Sequence, residues 1–94
     1  MAATGTATLD FGAFPGANEA SVVITGQTAI LSGSQVEAFF MGDTTSDHTA
    51  SDHTYANLLV ALTCGAISAG VGFTISATCA DAMQGTFTVH WVWA

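Results

Sequence analysis

The chain has 94 residues, which is enough for one domain and too few for two. It contains no Lys and no Arg, and its seven carboxylates give a formal net charge of -7. A nucleic-acid-binding protein needs cations to displace counterions from phosphates, and anionic membrane surfaces repel an acidic chain. We therefore expect neither nucleic acid nor a membrane as a partner, and a single domain over residues 1–94.

Two segments bear on membrane insertion and export. The longest apolar run, Leu58 to Leu62, is far shorter than the ~20 residues that a helix needs to cross a bilayer. The opening segment, Met1 to Gly12, lacks the basic start and the apolar middle of a signal peptide. We expect the protein to be made in a cytoplasm and not to be exported by a signal peptide.

The first predicted strands show alternation or flank a turn. Thr6–Phe11 places its polar and its apolar residues on opposite faces, as a half-buried strand does. Ser21–Thr25 and Thr28–Leu31 flank Gly26-Gln27, a pair that is typical of a tight hairpin turn. The sequence thus predicts one strand followed by a two-stranded hairpin.

A further strand is predicted over Gln35–Met41, after the turn-rich connector Ser32–Ser34. Its last residues, Phe39, Phe40 and Met41, are apolar on both faces of the strand. Such a strand either lies in the centre of a sheet or carries an interface. Phe39 and Phe40 are therefore kept as interface candidates.

The segment from Gly42 to Tyr55 concentrates the polar side chains that could carry chemistry. It contains the tetrad Ser-Asp-His-Thr twice, at Ser46–Thr49 and at Ser51–Thr54. A catalytic Ser-His-Asp site draws its members from separate elements, so adjacency within one segment does not predict one. The sequence also lacks a nucleophile-elbow motif, and we predict no catalytic residues and no enzyme.

The same segment offers a weak set of metal candidates, namely His48, His53, Asp47 and Asp52. Imidazole nitrogen and carboxylate oxygen suit zinc or another transition metal. On a helix, however, the two histidines are five residues apart and diverge by about 140°. His48 and Asp52 would share a face but would supply only two ligands. We therefore predict no bound metal and no cofactor.

The preferred interpretation of Gly42–Tyr55 is a polar surface loop or an assembly contact. In such loops Ser, Thr and Asp side chains cap and turn the backbone. The interface candidates from this segment are Asp47, His48, Asp52, His53 and Tyr55.

Leu58–Cys64 fits two patterns. Every second residue of this run matches a strand face. A helical face that Ser51 could cap is matched equally by Tyr55, Leu58, Leu59 and Leu62. We favour the strand because the neighbouring segments are strands.

The last two predicted strands, Phe73–Cys79 and Thr86–Trp93, alternate cleanly. If the first of them forms a hairpin with residues 58–64, Cys64 and Cys79 lie about seven residues apart along the strands, roughly 20 Å. A disulfide requires Cα atoms within about 7 Å of each other. We predict two buried free thiols.

These elements predict an all-β fold, a single small antiparallel β-sandwich of about seven short strands, immunoglobulin-like or jelly-roll-like. Phe87 and Val89 are expected in its core, and His90, on the opposite face of the same strand, at the solvent or at an interface. The other aromatic residues expected in the core are Phe11, Phe14, Phe39, Phe40, Trp91 and Trp93.

Three segments together resemble a known family. Gly5–Gly16, the stretch from Asp47-His48 to Asp52-His53, and Gly85–Trp93 are similar to a family of small proteins encoded in tailed bacteriophages and prophages. The resemblance extends over nearly the whole chain, although family members carry basic residues in the middle and this chain has none. It implies a virion component: a capsid decoration or cement protein, or a part of the neck, tail or fibre.

The leading hypothesis is a structural subunit of a bacteriophage virion, preferably a capsid decoration or cement protein. An acidic protein would not adhere to packaged DNA, which suits an outer position. Its expected partners are other virion proteins, namely the major capsid protein or tail and neck components, together with further copies of itself in a homo-oligomer.

The alternative is a tail- or fibre-associated adhesin module that binds a ligand or a metal. Exposed Trp or Tyr beside the Asp/His segment would be evidence for it. A small hydrolase would instead require Ser46 or Ser51 to meet a histidine from another element.

Overall fold

The computed structural model describes residues 2–94 and contains six β-strands and one helix. The strands are β1 (Ala3–Asp10), β2 (Ala17–Ile24), β3 (Val36–Phe39), β4 (Val60–Ser68), β5 (Gly72–Met83) and β6 (Thr86–Trp93), and the helix α1 (Ala50–Leu59) lies between β3 and β4.

Two three-stranded sheets form the molecule. One has the order β1-β6-β3 and the other β2-β5-β4, and every pair is antiparallel. The sheets pack against each other, with β1 beside β2 at one side and β3 beside β4 at the other. The prediction of an all-β fold with a small antiparallel sandwich is confirmed.

Alternation along β6 builds much of the core. Phe87, Val89, Trp91 and Trp93 are buried, as predicted, because every second residue of a strand points to the same face. The other buried apolar side chains are Leu9, Phe11, Ile24, Ile30, Ala56, Val60, Phe73, Ile75 and Ala77.

Gly5 of β1 lies directly opposite Trp91 of β6, and the pair explains why a glycine interrupts the alternation of β1. A Cβ atom at position 5 would lie 2.4 Å from the Trp91 ring. The absent side chain therefore makes room for the indole, which also packs edge-to-face on Phe73 with ring centroids 5.5 Å apart.

The predicted hairpin around Gly26-Gln27 is wrong. Residues 25–35 form a connection without strands, which is why there are six strands rather than about seven. The partner of β2 is β5, with Ile24 opposite Phe73. Gln27 makes hydrogen bonds to other parts of the chain. Its N–H donates to the carbonyl of Val71 at 2.8 Å, and its Oε1 accepts from Trp93 Nε1 at 2.9 Å.

The two patterns found in Leu58–Cys64 are both present, one after the other. The helix continues through Leu59, and the strand begins at Val60. The preference for a strand from Leu58 is therefore wrong for its first two residues and right for the rest.

The predicted hairpin of this strand with the next one exists in a shifted register. Val60 is opposite Cys79 and Cys64 opposite Ile75, so the cysteines are about 13 Å apart along the ladder. Both thiols are free, as predicted, although they are half-buried rather than buried. Partial burial raises the pKa of each thiol, and Glu37 adds to the effect at Cys64 and Asp81 at Cys79.

Two phenylalanines expected in the core are exposed. Phe14 lies in the turn between β1 and β2 and is 83% exposed. Phe39 is 38% exposed because it lies on the outer face of β3, the same face as the exposed Glu37. Phe40, in contrast, is partly buried against the core.

Candidate functional site

The first Ser-Asp-His-Thr tetrad is held against the start of β6. Thr45 Oγ1 donates to the carbonyl of Thr86 at 2.9 Å, and the Asp47 carboxylate accepts from both the backbone N–H and the hydroxyl of Thr86 at 2.8 Å. These two hydrogen bonds from Thr86 lower the pKa of Asp47, because they stabilise its charged form. Asp47 is therefore engaged within the chain.

His48 lies flat on a core aromatic ring. Its imidazole stacks on Phe87 with ring centroids 3.9 Å apart. Nε2 donates to the carbonyl of Gln84 at 2.7 Å, and Nδ1 faces the Asp52 carboxylate at 3.2 Å. Both ring nitrogens of His48 therefore face oxygen atoms of the same chain.

A capping box begins α1. The Thr49 hydroxyl accepts from the Asp52 N–H at 3.2 Å, and the Asp52 carboxylate accepts from the Thr49 N–H at 3.0 Å. The bond from Thr49, with a further contribution from His48, lowers the pKa of Asp52. The Asp52 carboxylate is therefore also engaged within the chain, by the backbone at the start of α1.

His53, from the second tetrad, is completely buried, and both of its ring nitrogens are used. Nδ1 donates to the carbonyl of Thr49 at 2.9 Å, and Nε2 accepts from the backbone N–H of Thr88 at 2.9 Å. These bonds require the neutral tautomer with hydrogen on Nδ1. The prediction of His53 as an interface residue is wrong, since the side chain connects α1 to β6 inside the protein.

The four candidate metal ligands are thus engaged in contacts within the chain. His53 is internal, Asp47 bonds Thr86, and His48 and Asp52 face each other. Among residues 2–94, no group of three or more His, Cys, Asp or Glu side chains is placed to hold a metal ion. In the same range, neither Ser46 nor Ser51 bonds a histidine through its side chain.

One polar pair was missing from the sequence interpretation. His90 Nε2 lies 2.6 Å from the Asp43 carboxylate, and the ring of His90 stacks on Phe39 with centroids 5.8 Å apart. Both partners are half-buried. The pair holds the chain that follows β3 against β6, and pairs so distant in sequence have no local signal.

Helix α1 presents apolar side chains to the outside. Its inner face is formed by His53 and Ala56, which are buried, whereas Tyr55, Leu58 and Leu59 are 66%, 79% and 56% exposed. The three exposed residues follow an i, i+3, i+4 spacing and therefore lie side by side. Apolar side chains grouped in this way on a surface mark interaction sites.

A shallow groove continues this surface. A depression of about 610 Å³ lies between the end of α1, the start of β4 and β5, and a smaller one adjoins it. We call the two together the α1–β5 groove, and its apolar lining includes Leu58, Leu59, Val60, Cys79, Ala80 and Met83.

A bulge in β5 shapes one wall of the groove. Thr78 is opposite Glu19 and Met83 is opposite Ala17, so the four residues between Thr78 and Met83 face only Asn18 of β2. The Asn18 amide donates to the carbonyls of Cys79 at 3.2 Å and Ala80 at 3.0 Å. It therefore satisfies backbone groups that the ladder leaves open.

The adhesin alternative expects an exposed Trp or Tyr beside the Asp/His segment, and the two residue types differ in this respect. Trp91 and Trp93 are buried in the core, whereas Tyr55 is exposed and follows the second tetrad directly. A further aromatic residue, Phe14, lines a depression of about 250 Å³ together with Asp47 and His48.

No helix within residues 2–94 is long and apolar enough to span a membrane. The chain matches none of the protein-family models, curated proteins or solved structures with which it was compared.

Proposed function

We propose that this protein is a structural subunit of a bacteriophage virion, a capsid decoration or cement protein that acts through protein–protein contacts. The observation that carries the proposal is the outward apolar face of α1, formed by Tyr55, Leu58 and Leu59. Apolar side chains grouped on a surface are typical of protein–protein contact sites.

The hydrogen bonds made by side chains of the segment Gly42–Tyr55 support the same proposal. Asp47, His48 and His53 hold the chain before α1, and α1 itself, against β6 and the turn that precedes it, and Asp52 caps the start of the helix. The effect of these bonds is to fix the position of the helix. A rigidly placed apolar face is suited to docking, because little conformational entropy is lost on binding.

The charge supports a role outside the packaged genome. With a net charge of -7 and neither Lys nor Arg, the chain offers no cation other than histidine or the chain terminus to a phosphate. The decoration role and the location on the virion follow from this argument together with the family resemblance.

The proposal is tested on particles. Density-purified particles from cells that carry the gene should contain the chain in a fixed ratio to the major capsid protein, as measured by quantitative mass spectrometry. Its absence from intact particles would contradict the virion role.

A second measurement addresses the adhesin alternative. Light scattering of the purified protein at neutral pH, with and without a chelator, should give the same mass and the same folded state. Loss of mass or of structure on chelation would favour a metal-dependent module.

A further inference from the structure

We propose that the α1–β5 groove binds a segment of a different protein that carries an aliphatic or aromatic anchor beside a Lys or Arg. This inference deepens the proposed function and rests on it for the biological setting, but the groove can be tested separately.

The aliphatic or aromatic anchor of the proposed partner is inferred from the apolar lining of the groove. Leu58 and Leu59 are exposed at the groove, Val60 is buried beneath them, and Ala80 is exposed in the bulged part of β5. These residues can cover an aliphatic or aromatic side chain of a partner, which is the usual source of binding energy at an interface core.

The Lys or Arg of the proposed partner is inferred from the negative charges around the groove. Asp81 lines the smaller depression, and Glu19 is opposite Thr78, which lines the larger one. The C-terminal end of α1 adds partial negative charge, and its last turn contains no basic residue. A Lys or Arg of the partner would complement these groups.

The same charges argue against a second copy of this chain as the occupant. Each copy has a net charge of -7 and no Lys or Arg, so a contact between copies would gather carboxylates without a cationic side chain to pair with Asp81. A partner of different sequence can supply that cation.

The backbone of the bulge favours an extended segment. No residue of β2 or β4 is opposite Ala80, Asp81 or Ala82 in the ladders. The carbonyl of Ala80 is already bonded by the Asn18 amide, but beyond the pair Val60–Cys79 no strand lies on the β4 side of Asp81 and Ala82, and an extended segment can be added there.

The experiment is selection from a random dodecapeptide library displayed on a carrier and panned against the immobilised folded protein. Synthetic peptides from the enriched sequences are then titrated into the soluble protein and followed by fluorescence anisotropy. Enriched peptides should combine an apolar anchor with Lys or Arg.

Variants locate the binding site. Leu58→Gln should weaken binding at least about ten-fold, because a buried leucine contributes that much or more. The matched control is Leu31→Gln: Leu31 is 68% exposed, similar to Leu58, and lines neither depression. It should leave binding unchanged.

A second pair of variants tests the charge. Asp81→Asn should weaken binding about two- to five-fold and reduce its dependence on salt. Glu37→Gln removes a carboxylate that lines a different depression and should have no effect.

The two thiols provide a footprint. Cys79 lines the groove and Cys64 does not, so a bound peptide should slow alkylation of Cys79 relative to Cys64. This readout reports the site without any substitution.

Four outcomes would overturn the inference: no enrichment, enriched peptides without basic residues, equal binding by wild type and Leu58→Gln, or self-association that Leu58→Gln abolishes. The last would assign the groove to a second copy. If peptides bind in the groove but particles lack the chain, the inference stands and the virion role fails. If particles contain the chain but no peptide binds the groove, the virion role stands and the inference fails.

Discussion

The backbone N–H of Thr88 donates to Nε2 of the buried His53, and this 2.9 Å bond joins α1 to the central strand β6. The other nitrogen of the same ring donates to the carbonyl of Thr49 at the start of the helix. One neutral imidazole therefore fixes the position of α1 and with it the outward apolar face.

Substitution of His53 should be strongly destabilising. His53→Ala leaves the N–H of Thr88 without a partner and opens a cavity, and we expect a loss of about 2–4 kcal/mol in the free energy of unfolding. Urea unfolding measures the loss. Tyr55→Ala, on the exposed face of the same helix, should change the stability by less than about 0.5 kcal/mol. Similar values for the two variants would contradict the role of the buried ring.

The end of α1 is a feature that the sequence patterns predicted only in part. The alternation of β6 directly reports which side chains are buried, and its four core residues were predicted. In Leu58–Cys64 the helical and the strand patterns overlap, and neither pattern alone indicates the change at Val60. The local signal that was available is the pair Thr49 and Asp52, whose three-residue spacing is that of a capping box.

The outward face of α1 could not be predicted from the sequence. Interpretation of an amphipathic pattern assumes that apolar residues point to the core, and here Leu58 and Leu59 point outwards while His53 points inwards. The histidine is tolerated inside because Thr49 and Thr88 satisfy both ring nitrogens. Those partners lie in the loop before α1 and in β6, and they meet only in the folded chain.

Acid should remove the contribution of Asp47 to stability. Its pKa is lowered in the folded state by the two hydrogen bonds from Thr86, so the unfolded chain binds the proton first as the pH falls. The contribution is therefore complete above the unfolded value of about 3.9 and is lost as the pH falls through the lower folded value. Asp52, whose pKa is also lowered, should follow the same direction.

This dependence can be measured by comparing wild type with Asp47→Asn in urea unfolding from neutral pH into the acid range. The difference in stability should be constant above about pH 5 and should decrease below about pH 4. A difference that stays constant throughout would show that Asp47 does not contribute in this way.

The contact between Gly5 and Trp91 predicts a steric limit. Gly5→Val places a branched side chain where even a Cβ atom would lie 2.4 Å from the indole, and overpacking of this kind costs about 1–3 kcal/mol or more. The indole must move, so the fluorescence of the folded protein should change as well. Gly33→Val is the control, because a Cβ at position 33 meets no atom within 4 Å. Equal stability of the two variants would refute the packing argument.

The two thiols should titrate in full without a reductant. After denaturation, a thiol reagent should count two free cysteines, since Cys64 and Cys79 are opposite different residues of the ladder and unbridged. In the folded protein both should react slowly, because partial burial raises the pKa of each thiol. Recovery of thiols only after reduction would contradict the register between β4 and β5.

The most direct test of the account is the number of copies on purified particles when the chain is supplied as wild type, Leu58→Gln or Leu31→Gln. The account predicts that wild type and Leu31→Gln occupy the particles equally and that Leu58→Gln is reduced about ten-fold under subsaturating supply. Circular dichroism of the three proteins should first show the same folded state. Particles that carry none of the three, or all three at the same level, would contradict it.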